Sequence, residues 1–220
     1  MAKWALLISL LFFQALFLLF PELDIWLSVY FFDRVSNDWW LSDNTLVLLS
    51  YEFFRLLPFY LIPILIALFL SSVIFRKRSE AKLRKVLVFL LVVLLVSPGL
   101  VVHKLFKDES GRARPQDVSY FSGDKQFTPP FIKSNQCSDN CSFVSGHAAM
   151  GFFFLALSWA FNNPRWVFYG GATGFIVGFG RIVQGAHWAS DILFGFFVVL
   201  GSALLISRLI FGHWWPDTNH

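Results

Sequence analysis

Six apolar runs dominate the chain, at roughly residues 4 to 20, 54 to 75, 86 to 106, 144 to 161, 166 to 183 and 189 to 211. Each has or approaches the ~20 mostly apolar residues that carry a helix through about 30 Å of hydrocarbon. The pattern predicts an all-α polytopic membrane protein with six transmembrane helices. The fourth and fifth runs are separated only by Asn162, Asn163, Pro164 and Arg165. A proline lacks the N–H that a helix interior requires, so this stretch is read as a break. The first run ends in Pro21, Glu22, Leu23 and Asp24 and not in a small-residue cleavage site, so it is read as an uncleaved helix.

Between the runs, the polar stretches set the expected orientation. Residues 76 to 85, RKRSEAKLRK, hold six cationic side chains and one acidic one, a cytoplasmic signal under the positive-inside rule. With that loop inside, both termini are cytoplasmic, and residues 21 to 53, 107 to 143 and 184 to 188 face the other side. The acid-biased, Trp-rich DRVSNDWW suits an outer interface. Segment 107 to 143 departs from the rule, with Lys107, Arg112, Arg114, Lys125 and Lys133 among five acidic residues. Either it is a charge-mixed surface or its cations have a task.

Composition agrees with a membrane protein: 56% hydrophobic, 19% aromatic and only 15% charged residues, against about 25% charged in soluble domains. No linker, repeat or low-complexity tract interrupts the apolar segments, so one membrane domain over residues 1 to 220 is expected. The net charge of +4 is scattered, with no basic stripe bearing interleaved aromatics, which argues against nucleic acid as a partner. Cys137 and Cys141, in QCSDNCSF, are the two cysteines, and both fall in the outer segment. In an oxidising space they are disulfide candidates; two unbonded thiols or half a metal site are the alternatives, although zinc normally takes four ligands.

Three polar clusters fall on the same expected face. In KDESGRARP, Lys107 and Arg114 lie seven apart, followed by Pro115. In SGHAAMGFFF, Ser145, Gly146 and His147 open the fourth helix. Ser145 suits an N-cap, Gly146 allows close backbone approach, and the helix N-terminus favours an anion. In RIVQGAHWASD, His187 and Asp191 stand four apart on one helical face, with Arg181 upstream. The aspartate can fix the imidazole tautomer and leave the other ring nitrogen to attack. Each cluster alone is equally a capped helix or an interfacial hydrogen bond. Ionisable residues near a membrane are costly, however, and are functional candidates by default. Together, two histidines, an aspartate and three cations suit metal-free phosphoryl transfer.

These residues resemble the signature of the type 2 phosphatidic acid phosphatases, Lys-x6-Arg-Pro, Pro-Ser-Gly-His and Ser-Arg-x5-His-x3-Asp. Lys107, Arg114 and Pro115, then Ser145, Gly146 and His147, then Arg181, His187 and Asp191 stand at that spacing. Val144 replaces the usual proline and Gly180 the usual serine. The resemblance implies His187 as nucleophile through a phosphohistidine, Asp191 as its orienting group and His147 as general acid. It further implies that Lys107, Arg114, Arg181, Ser145 and Gly146 bind the phosphate, without a metal or other cofactor. The implied substrate is a membrane lipid phosphate such as phosphatidylglycerophosphate, undecaprenyl pyrophosphate or the 1-phosphate of lipid A. The run from GRARP through FTPPF to NCSFVSGHAA looks somewhat like bacterial lipid A 1-phosphatases. A phosphotransferase that shares the first half-reaction, and a non-enzymatic transporter or scaffold, are the rival readings. FTPPF, residues 127 to 131, is expected either to rim a lateral entrance for the lipid or to be an ordinary rigid turn.

Overall fold

The computed structural model describes residues 2–75 and 81–216 and is mostly helical. Helix α1 spans Ala2–Leu19, where Pro21 lies between it and α2, Glu22–Val29. The two axes meet at 82°, so the chain turns sharply along what would otherwise be one apolar span. A short antiparallel hairpin follows, Phe32–Asp33 with Asp38–Trp39, pairing Phe32 with Trp39.

Helix α3 runs Thr45–Ile74, starting nine residues before the expected apolar run. Asn44 caps it, its side chain accepting from Leu46 and Val47 N–H. The ion pair Arg55–Glu52 closes on its surface at i and i+3, so the charges that interrupt hydropathy do not interrupt the helix. Helix α4 covers Ala81–Leu94 and continues, π-wound, through Leu95–Lys107. Pro98 lies in that π-wound part and offers no N–H, and its ring crowds the carbonyl four residues back. Lys107 is thereby delivered at the helix end.

Helix α5, Gly146–Phe152, tightens into a 3-10 turn at Phe153–Ala156 and ends at Leu157–Ala160. Helices α6, Arg165–Val183, and α7, Ala189–Phe211, match the expected runs closely. Among the described residues, four helices are long and apolar enough to cross a membrane, or five if the bent α1–α2 pair is one span; Gly146–Ala160 is apolar but shorter. The basic stretch 76 to 85 includes residues 76–80, which lie outside the described residues.

Two apolar clusters hold the fold. The larger one joins Phe89, Val93, Phe152, Leu155, Phe194 and Leu200 from α4, α5 and α7, with Phe17 and Phe54 added by α1 and α3. The smaller one, Ile25, Phe32, Trp39, Val118, Phe121 and Trp188, ties α2 and the hairpin to the loop before α7. Gly185 shows how closely that loop is packed: φ is +66°, and an added Cβ would meet the Trp39 ring at 2.1 Å. Only glycine meets both conditions.

Candidate active site

The loop joining α6 to α7 folds back on Arg181, whose carbonyl accepts from Ala186 N–H at 3.0 Å and His187 N–H at 3.3 Å. His187 is thus fixed beside the arginine and is almost wholly buried. Its Nδ1 lies 3.4 Å from Asp191 Oδ2, and the ring also bonds to the Ser142 main chain. Burial first, then the charges of Lys107, Arg114 and Arg181, hold the His187 imidazole well below its ordinary basicity. The ring is therefore neutral at physiological pH.

Asp191 is the most heavily engaged group in the site. Oδ1 accepts from Arg112 Nη1 at 2.6 Å, and Oδ2 from Ser142 Oγ at 2.5 Å and Trp188 N–H at 2.9 Å. Reaching back to Trp188, it caps the first turn of α7. Its main-chain carbonyl accepts from Ser145 N–H at 3.2 Å, which fastens the start of α5 to the start of α7. Ser145 caps α5 by accepting from Ala148 N–H.

The phosphate-binding candidates converge from three elements. Lys107, buried at the end of the π-wound segment, donates to Asn140 Oδ1 at 2.6 Å, and Arg114 Nη2 donates to the Asn140 carbonyl at 2.9 Å. Asn140 lies inside the loop closed by the Cys137–Cys141 disulfide, whose Cα atoms are 5.6 Å apart. Arg181 donates to Gln184 Oε1 and stacks over Tyr51, 4.6 Å from the ring centroid. On the same ring, His147 stacks at 4.5 Å. The charges acting on His147 come from Arg181, His187, Lys107 and Arg114, which places all five together.

Lys107, Gly146 and His147 line a cleft of about 320 Å³, walled by Tyr51, Arg55 and Phe59 of α3. His187, Arg181 and Arg114 are not among its lining residues. Buried His147 Nε2 and Arg181 Nε have no hydrogen-bond partner among the described residues. Such orphaned atoms are costly unless something in the working protein satisfies them. Among the described residues, no group of three or more His, Cys, Asp or Glu side chains is gathered as a metal cage.

A family model described as the PAP2 superfamily matches residues 85–215. The chain belongs to that superfamily. A protein of Francisella tularensis subsp. novicida (strain U112) named lipid A 4'-phosphatase is 38% identical over 191 residues, covering 84% of this chain and 86% of its own length. Proteins of the same name from Rhizobium leguminosarum and Rhizobium etli are 28% and 30% identical, each over 94% of this chain and over 91% and 82% of their own lengths. No solved structure matches. The protein is a membrane lipid phosphatase of the PAP2 type, and thus a hydrolase.

Several residues that build this PAP2 site escaped the sequence reading. Arg112, read as a loop cation, is buried and donates from all three guanidinium nitrogens: Nη1 to Asp191 and Ser190 Oγ, Nη2 to Asp24 at 2.8 Å, and Nε to the Thr128 carbonyl. Asp24 also accepts from Ser190 N–H and Oγ, so α2 is bolted to the start of α7. Gly111, at φ +61°, lets the chain before Arg112 pass the Ser134 carbonyl, which a Cβ would meet at 1.7 Å. Asp24 and Tyr51 lie outside the matched residues 85–215. No residue of FTPPF lines the His147 cleft. Phe127 packs on Trp188 and Arg112, while Phe131 lines a separate apolar groove of about 420 Å³ with Phe143 and Phe194.

Proposed function

We propose that the chain is a lipid A phosphatase acting on the 4′-phosphate through a phosphohistidine on His187. Relatives covering most of the chain bear the name lipid A 4'-phosphatase, which favours the 4′-phosphate over the 1-phosphate named among the expected substrates. The reading of the site rests above all on buried His187 held by Asp191 within the fields of Lys107, Arg114 and Arg181.

In the first step, His187 Nε2 attacks phosphorus and the bond to the lipid oxygen breaks, its electron pair staying on that oxygen. His147 protonates the departing alkoxide. Lys107, Arg114 and Arg181, with Ser145 and the Gly146 N–H, hold the phosphoryl oxygens as charge redistributes. Water then attacks the phosphohistidine, gives its proton to His147, and inorganic phosphate leaves. Asp191 keeps the tautomer with Nδ1 protonated, and Arg112 with Ser142 keeps Asp191 in place. The unpartnered His147 Nε2 and Arg181 Nε are the atoms expected to face leaving group and phosphate. No step uses a metal.

One domain over residues 1 to 220 carries this chemistry, and six passes with cytoplasmic termini put the site on the periplasmic face of a bacterial inner membrane. The basic stretch 76 to 85 supports that orientation. Phosphate release from lipid A by purified protein tests the reading, with EDTA present and His187→Ala as control. Turnover that survives His187→Ala, or stops with EDTA, contradicts it.

A further inference from the structure

We propose that the cleft contains a second anion-binding position, built on Arg55 and held in reserve by Glu52, which selects lipids bearing another phosphate or carboxylate beside the phosphomonoester. The proposal rests on the phosphatase reading above. Arg55 lines the same cleft as Lys107, Gly146 and His147, yet belongs to none of the three signature clusters and lies outside the matched residues 85–215. Phe54, Pro58 and Phe59, its neighbours on the α3 wall, are apolar. The cleft therefore pairs one guanidinium with a surface suited to hydrocarbon, the character of an amphiphile's interfacial region.

Arg55 Nε and Nη2 both donate to the single oxygen Glu52 Oε2, at 2.9 and 2.6 Å. The two side chains are 48% and 47% exposed, and exposed pairs of this kind add little stability, so another anion can displace Glu52. The planar fork matches phosphate or carboxylate in two-point fashion. Residues 56 to 75 carry no charged side chain. Those twenty residues suffice to span the hydrocarbon, so Arg55 stands at its edge, at the level of the headgroups. A headgroup with one phosphate is already served by Lys107, Arg114 and Arg181. Arg55 serves the next charge along.

The test compares phosphate release from phosphatidic acid, with one phosphate, and phosphatidylglycerophosphate, whose phosphomonoester is accompanied by a phosphodiester. Dividing kcat/KM for the second lipid by that for the first gives a selectivity ratio. Arg55→Gln is expected to lower this ratio about tenfold through KM, the scale of one lost charge-assisted contact. Glu52→Gln, by releasing Arg55, is expected to raise it. Equal ratios in wild type and Glu52→Gln overturn the proposal even where Arg55→Gln does not fold. Hydrolysis of neither lipid by protein that dephosphorylates lipid A also overturns it. Release from none of the three strikes the phosphatase reading instead.

Discussion

Replacing Arg112 by alanine removes the cation that joins two buried carboxylates from opposite ends of the chain. Asp24 and Asp191 are both fully buried, and the guanidinium reaches them at 2.8 and 2.6 Å. Taking away one partner of a buried ion pair costs about 3 to 5 kcal/mol, because the charge left behind has neither water nor a counter-ion. That is a large share of the ~5 to 15 kcal/mol by which a typical domain is stable. On the scale for chains of this size, the midpoint of thermal unfolding should fall by about 6 to 20 °C. Tryptophan fluorescence in detergent, on the PAP2 protein with and without the substitution, reads this directly. Arg112→Lys should recover only part of the loss, since an ammonium cannot span both carboxylates and the Thr128 carbonyl as the planar fork does. Asp24→Asn combined with Arg112→Met should be less damaging than the sum of the single changes, because the asparagine removes one of the two charges that the loss of Arg112 strands. Turnover should fall with Arg112→Ala even at temperatures where the protein stays folded, since Asp191 loses its anchor. An Arg112→Ala protein within ~0.5 kcal/mol of wild type, the range of surface substitutions, would refute the reasoning.

Other outcomes follow from the same geometry. Because His187 is held well below ordinary imidazole basicity, its ring should remain neutral at pH 6 in nitrogen-labelled NMR spectra; titration near 6.5 contradicts this. The unfolded chain binds that proton first, so His187 contributes stability above the ordinary imidazole range that is lost as pH falls from there toward the folded value. Reducing the Cys137–Cys141 disulfide should lower stability by about 2 kcal/mol on a loop-entropy scale. It should also raise KM, since Asn140 inside that loop meets Lys107 and Arg114; an unchanged KM in the reduced protein speaks against the coupling. Gly180→Ser should fold and stay active, because the new Cβ meets Val47 at an ordinary 3.5 Å, whereas Gly185→Ala should yield little folded protein against Trp39. Comparable expression and activity of the two variants would be the opposing result.

What was legible in the sequence was spacing and hydropathy; what was not was long-range pairing. Helices α6 and α7 match their apolar runs nearly residue for residue, because a span bounded by Pro164 and by the Gly185 turn declares both ends. Helix α3 begins earlier than its apolar run, since hydropathy registers entry into hydrocarbon and not the first hydrogen-bonded turn; the Asn44 cap was a readable sign of it. Asp24 looked like loop polarity after a proline. Its partner Arg112 is 88 residues away, a distance that no local periodicity reports. Tyr51 fell in the expected outer segment 21 to 53, just before the second apolar run, with nothing local to mark it, although it carries both His147 and Arg181 on its ring.

The central claim, nucleophilic attack by His187, is met most directly by trapping the intermediate. Purified protein is mixed with lipid A labelled with radioactive phosphorus at the 4′-phosphate, quenched in alkali to preserve phosphohistidine, digested and mapped. Label on the peptide bearing His187, lost in His187→Ala and diminished in Asp191→Asn, is the result expected. Label on another residue, or rapid turnover with no protein-bound phosphorus at any quench time, would contradict the account.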